Sequence, residues 1–196
     1  MIDNIKDIKE LLNFEKGYFY MLYIFKRKKD QPIEDREGLR DCVTIKSYSI
    51  ESVEYLDRKY DEIKKLCEIF NARAYIEIQK KSYSDVTLEV IHYTAEEMKK
   101  GRNITANVFD SAAGRCKSKD KKWVVDVDRK DNIYLNEMMI YIENNCPPYK
   151  EKKILSKIET KSGYHLITQR FDVLKFKEKY SEEIKKSNPT VLYINE

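Results

Sequence analysis

Two aspartates and one histidine stand out for their spacing. Asp126 and Asp128 close the stretch Lys122-Trp123-Val124-Val125-Asp126-Val127-Asp128. Strict alternation puts Trp123, Val125 and Val127 on one face and Val124, Asp126 and Asp128 on the other, the pattern of a half-buried strand. A strand advances roughly 3.3 Å per residue, so the two carboxylates stand about 7 Å apart on that face. Hard cations such as Mg2+ or Mn2+ take oxygen ligands, and two carboxylates on one rigid strand can hold them. His165 follows in Lys161-Ser162-Gly163-Tyr164-His165-Leu166-Ile167. An imidazole can hold a phosphate or move a proton, and a glycine two residues before it lets a ligand approach the backbone. Taken singly, neither signal is specific. An Asp-x-Asp at a strand end is usually solvated, and a lone strand histidine usually sits at the surface or in a satisfied core. What counts is whether the fold brings them to one face.

The last 75 residues bear on that question. After the Asp strand (123–128) comes a helix with Ile133, Leu135, Met138, Met139 and Ile142 at its apolar positions, stopped by Pro147-Pro148. Residues 154–160 and 164–168 read as two strands joined by a Lys-Ser-Gly turn. Asp172 is placed to cap a helix whose core face is Val173, Phe176, Tyr180 and Ile184. Thr190 to Ile194 reads as the last strand. The order is βαββαβ. In such a unit the first and third strands are central neighbours and the fourth flanks the first. Asp126, Asp128, Gly163, His165 and Ile167 then share the face that the helices leave free. Metal-held phosphates beside an imidazole suggest a nucleoside triphosphate and in-line phosphoryl transfer.

The first 121 residues read as an α/β module. Residues 4–15 are helical and end at Gly17. Tyr18 to Phe25 is a buried strand, and Val43 to Tyr48 a second. An amphipathic helix spans 50–70, with Val53, Leu56, Tyr60, Ile63, Cys67 and Phe70 on one face. A strand follows at 74–78. Leu88, Ile91, Ala95 and Met98 mark another helix, and 105–114 a short one. The fold class expected is α+β, with residues 1–121 as the amino-terminal module and 122–196 as the βαββαβ module.

Composition narrows the function classes. With 41% hydrophobic and 12% aromatic residues, the 196-residue chain is globular. Its net charge of +4 does not by itself demand nucleic acid. Basic clusters are local: Lys26-Arg27-Lys28-Lys29, Lys117 to Lys122 and Lys150 to Lys153. Cys42, Cys67, Cys116 and Cys146 form no CxxC pair, so a structural zinc site is not expected. Scattered cysteines without a leader-like segment read as reduced thiols, and no apolar run approaches the roughly 20 residues of a membrane span. A cytoplasmic protein with no membrane association is expected. Fifteen tyrosines suit base stacking but suit core and rim packing better. The Lys- and Tyr-rich, Gly-poor composition would suit an A+T-rich genome such as that of a phage or plasmid.

Val124-Val125-Asp126-Val127-Asp128, followed by Gly163-Tyr164-His165, resembles the first two motifs of the archaeo-eukaryotic primase superfamily. These are a hydrophobic run ending in Asp-x-Asp or Asp-x-Glu, and small-x-His. The resemblance covers most of the chain, because members join an amino-terminal α/β module to an RRM-like βαββαβ module. It implies a primase-polymerase-like nucleotidyltransferase that uses Mg2+ or Mn2+, nucleoside triphosphates and a single-stranded DNA template. A helicase or other replication protein is the implied partner. Asp126 and Asp128 would bind metal, and His165 the nucleotide phosphates, with Lys161, Ser162 and Gly163 as neighbours. Lys26, Arg27, Lys28 and, more weakly, Lys46 would contact template phosphates, as would the 117–122 loop. The third family motif, an acid on the last strand, has no clear counterpart. Glu196 is the only acid there, so it is the candidate third acid. The alternatives are a degenerate member that binds nucleotide or single strands without catalysis, and a replication scaffold.

Overall fold

The computed structural model describes residues 1–38, 40–102, 107–118, 120–149, 151–187 and 189–195. The fold is α+β, with two antiparallel sheets and six α-helices among these residues. In the amino-terminal part the chain runs through β1 (Ile2–Asp3), α1 (Ile5–Leu11), β2 (Tyr18–Arg27), β3 (Cys42–Ile50), α2 (Val53–Ile69), β4 (Arg73–Ile76) and β5 (Lys81–Ser82). It continues through α3 (Tyr83–Lys99) and α4 (Val108–Arg115). Residues 105 and 106 of the expected short helix lie outside the described residues. The remaining elements are β6 (Trp123–Val127), α5 (Asn132–Asn145), β7 (Ile154–Glu159), β8 (Tyr164–Thr168), α6 (Val173–Lys177), β9 (Glu183–Lys185) and β10 (Thr190–Ile194).

The larger sheet has the order β1-β10-β4-β2-β3, with β5 paired to the start of β2. β2 begins as a run of aromatic and aliphatic residues, buried from Phe19 to Leu22 and at Ile24, as a strand with neighbours on both sides requires. Ser52 caps α2 by accepting from the Tyr55 amide, and Leu56, Ile63 and Cys67 carry the helix onto the sheet. The smaller sheet has the order β7-β8-β6-β9. One face, with Val125, Val127 and Leu166, packs under Leu135, Met138 and Ile142 of α5 and Phe176 of α6. The alternation expected along β6 is therefore observed. Asp172 caps α6 as expected, accepting from the Leu174 and Lys175 amides.

The structure corrects four expectations. First, Thr190 to Ile194 does not flank the Asp strand. As β10 it lies between β1 and β4 in the larger sheet. All five residues are buried, which needs a neighbour on each side and cover on both faces. Each large apolar side chain kept from water there contributes about 1.5–3 kcal/mol. Second, the strand beside β6 is β9, whose Glu183-Ile184-Lys185 alternation suits an edge with one wet face. The helix expected to reach Ile184 stops at Lys177, where the Lys177 ammonium bonds the Ser181 and Glu182 carbonyls. Third, Leu88, Ile91, Ala95 and Met98 of α3 are exposed. The helix docks instead through Val86 onto Phe19, Met21, Ala112 and Ala113. Fourth, the face of the smaller sheet without helices is not open to water along its length. Val124, Ile158 and Ile167 join a core with Ile8, Leu192 and Tyr193, so the two sheets face each other.

Candidate functional site

Where the sheets diverge, a cleft of about 440 Å3 opens between them. Asp126, Asp128, His165, Glu183 and Lys185 line it from the smaller sheet, with Lys161 and Ser162 at the β7–β8 turn. Phe25, Arg27, Lys29, Arg73 and Tyr75 form the wall from the larger sheet. One wall is rich in carboxylates and the other in cations.

Asp126 and His165 are direct partners in the antiparallel register of β6 and β8, so their side chains leave the sheet on the same face. His165 Nε2 stands 3.4 Å from Asp126 Oδ1. Its other nitrogen, Nδ1, is 2.9 Å from Thr190 Oγ1, so the imidazole also ties the smaller sheet to β10 across the cleft floor. Lys185, two residues beyond Glu183 on β9, pairs with Asp126 Oδ2. His165 and Lys185 together hold the Asp126 carboxyl well below the usual carboxylate range, against burial, which pulls the other way. For Lys185, burial would lower the pKa, but the adjacent Asp126 and Glu183 carboxylates carry it above the ordinary lysine value. Asp128 is exposed and accepts from the Ser162 hydroxyl at 3.0 Å.

Gly163 earns its place by packing. A Cβ there would lie 1.8 Å from the Val127 carbonyl oxygen and 2.6 Å from the Arg129 amide nitrogen. The expectation that this glycine admits a ligand is replaced by a nearer cause, since the end of β6 fills that space. Its amide is held by Thr160 Oγ1 at 3.0 Å, which fixes the turn that presents Lys161 and Ser162.

The expected site residues divide by position. Asp126, Asp128, His165, Lys161 and Ser162 come together around the cleft, and Arg27 joins them from β2. Arg27 donates to the Tyr75 hydroxyl at 2.9 Å. Lys28 opens onto an adjoining hollow with Arg27, Lys29 and Arg36. Lys26 is half-buried on β2, and neither Lys26 nor Lys28 is among the residues lining the main cleft. Lys46 is paired with Glu62 of α2, away from it. Glu196 lies outside the described residues.

Sequence reasoning missed Glu183 and Lys185. Glu183 sits directly opposite Asp126 in the β6–β9 register and shares a smaller hollow of about 240 Å3 with Asp126 and Asp128. The signal was the Glu-Ile-Lys alternation, masked because Ile184 also falls at helical spacing from Tyr180 and Phe176. Among the described residues, no three acidic, histidine or cysteine side chains converge closely enough to hold a cation in this arrangement. The Asp126 oxygens are directed at His165 and Lys185 instead.

No helix among the described residues is long and apolar enough to cross a membrane. The chain matches no family model, no curated protein and no solved structure.

Proposed function

We propose that the cleft binds a nucleoside triphosphate with a divalent cation and supports template-directed nucleotidyl transfer of the primase-polymerase class. The observation that carries this reading is the pairing of walls. Three carboxylates from β6 and β9 face Arg27, Lys29 and Arg73 across one cleft. A ligand that carries both a cation and polyphosphate complements both walls. The strand order β7-β8-β6-β9 over α5 and α6 supports an RRM-like smaller module, and the Asp-x-Asp and Gly-x-His stretches fall on its two central strands.

The donor chemistry fits Mg2+ or Mn2+, since Asp126, Asp128 and Glu183 offer only carboxylate oxygens. Asp126 and Asp128 would hold the cation, and Glu183, opposite Asp126 in the β6–β9 register, is a further carboxylate that could join them. When bound, the cation neutralises the charge that develops on the phosphates during in-line displacement. The protein's own groups do the rest. His165, fixed by Thr190, orients the Asp126 carboxylate. Lys161, Arg27 and Lys29 offer donors to phosphate oxygens, and Ser162 orients Asp128. Tyr75 and Phe25 form an apolar wall suited to a base or sugar.

The test is nucleotide incorporation on a primed single-stranded template with Mn2+. Asp126→Asn is expected to lower the rate at least ~100-fold while far-UV circular dichroism stays unchanged. Undiminished incorporation would refute the reading.

A second reading is favoured by one specific observation. Lys185 already pairs with Asp126, so that carboxylate is neutralised without metal. On this reading the chain binds nucleotide or single strands without turnover. Metal-independent nucleotide binding by wild type, with no incorporation, would select it.

A further inference from the structure

A second cleft, of about 550 Å3, opens at the other end of β6. Its character differs from that of the first. Among the described residues, six cationic side chains line it (Lys81, Arg115, Lys117, Lys121, Arg170 and Lys186) against one acid, Glu77. The cations come from separate stretches: β5, the end of α4, the segment before β6, the exit of β8 and the exit of β9.

The floor is built. Lys81 is buried, with its ammonium 3.3 Å from Glu77 Oε2 and donating to the Cys116 carbonyl at 3.0 Å. Gln79, also buried, donates to the Lys122 and Lys186 carbonyls at 2.7 Å each, clamping the start of β6 to the exit of β9. Burial pushes the Glu77 carboxyl up, against the pull of Lys81. Arg115 is occupied by Glu89 and Glu96. Lys117, Lys121, Arg170 and Lys186 form no ion pair among the described residues, and all four are exposed.

Trp123 lines the same cleft and is half-buried. Phe171 braces its ring edge-on, with centroids 5.7 Å apart. The Lys186 ammonium lies over the ring, 5.4 Å from its centroid, a cation–π contact on a flexible exposed side chain that a stacking base would displace.

We infer that this cleft is a binding site for single-stranded nucleic acid, with an unpaired base stacked on Trp123 and successive phosphates met by Lys117, Lys121, Arg170 and Lys186. Like charges spread over a cleft, rather than converging on a point, suit a polymer of regularly spaced anions. A braced aromatic ring beside them is the platform on which a base of any sequence can stack. The inference does not depend on catalysis in the acidic cleft, because the site lies at the opposite end of β6 and uses none of its residues.

The chain has a single tryptophan, so Trp123 reports its own environment. The experiment titrates the full chain with a short oligothymidylate and follows tryptophan fluorescence. Saturable quenching is expected, and affinity should fall roughly 50-fold between 50 and 200 mM salt if four phosphates are engaged. Lys117→Glu/Lys121→Glu, both at exposed positions, should weaken binding at least tenfold with unchanged circular dichroism. Asp126→Asn should leave the titration unchanged, which separates this site from the acidic cleft. Inorganic polyphosphate should compete for the site without reproducing the quench. No quench, a quench indifferent to the double substitution, a quench lost in Asp126→Asn, or an equal quench from polyphosphate would each overturn the inference.

Discussion

The two clefts share β6 and differ in how their charges are settled. At the Asp126 end, cations and acids of the protein answer one another. Lys185 pairs with Asp126, and Arg73 with Asp30. At the Trp123 end, among the described residues, four exposed lysines and arginines face one half-buried acid that is already matched to Lys81. A cleft whose cations already face carboxylates gains little from a simple anion, which must compete with carboxylates already in place. It gains from a ligand that brings a cation and phosphates together. A cleft with a large excess of one sign of charge has mainly the self-repulsion of its cations to relieve, and any regular polyanion does that. The two ends of one strand thus open onto clefts of different charge because they differ in what lies across from them.

The glycines at the two sites offer the largest expected contrast. Gly163→Ala would drive a methyl into the Val127 carbonyl, and neither backbone can move without breaking the β6–β8 register. We expect destabilisation by about 3 kcal/mol in urea unfolding, from overpacking against rigid backbone. Gly114, on α4 at the rim of the basic cleft, has nothing within 4 Å of an added methyl. Gly114→Ala should be neutral or stabilise by up to ~1 kcal/mol through helix propensity. Equal effects at the two positions would break the contrast between a packed wall and an open rim.

A smaller effect sharpens the charge argument. If Lys185 competes with a divalent cation for Asp126, Lys185→Met should tighten Mn2+ binding by about tenfold, the worth of one net ion-pair contact near 1.4 kcal/mol. Lys186→Met, one residue on and facing the other cleft, should leave Mn2+ affinity unchanged. Weaker binding in Lys185→Met would mean that the ammonium helps to hold the ligand rather than standing in for the metal.

The smallest expected effect is in acid stability. Asp126 titrates below the ordinary carboxylate range when folded, so its contribution to stability is fully present above about pH 4, the unfolded value. It is lost as pH falls further and the carboxyl is protonated. Removing it should flatten the acid limb by on the order of 1 kcal/mol. Asp126→Asn and wild type should therefore converge in unfolding free energy as pH falls below 4. Parallel acid limbs would mean that the Asp126–His165–Lys185 contacts contribute nothing to the fold.

Much of this site was legible from residue types and period. Alternation along 123–128 put Asp126 on the face away from the helices, and βαββαβ order put His165 beside it. Both follow from local geometry that a period of two fixes. What was not legible depended on long-range competition. Thr190–Ile194 and Glu183–Lys185 are both short β-capable segments, and nothing local decides which of them pairs with β6. Burial decides it: the continuous apolar run takes the interior slot between β1 and β4, and the alternating segment takes the wet edge. That exchange brings Glu183, rather than a residue of the last strand, opposite Asp126. Likewise, helical spacing found the apolar stripe of α3 but not which side of the helix the larger sheet would accept.

The central claim is that Asp126 and its neighbours hold a cation and a nucleotide together. The most direct measurement is calorimetric titration of a nucleoside triphosphate with Mn2+ present and absent, on wild type and on Asp126→Asn. The account predicts metal-dependent binding to wild type that is lost in Asp126→Asn, with the fold retained. Absence of metal-dependent binding to wild type, or equal binding to both proteins, would contradict it.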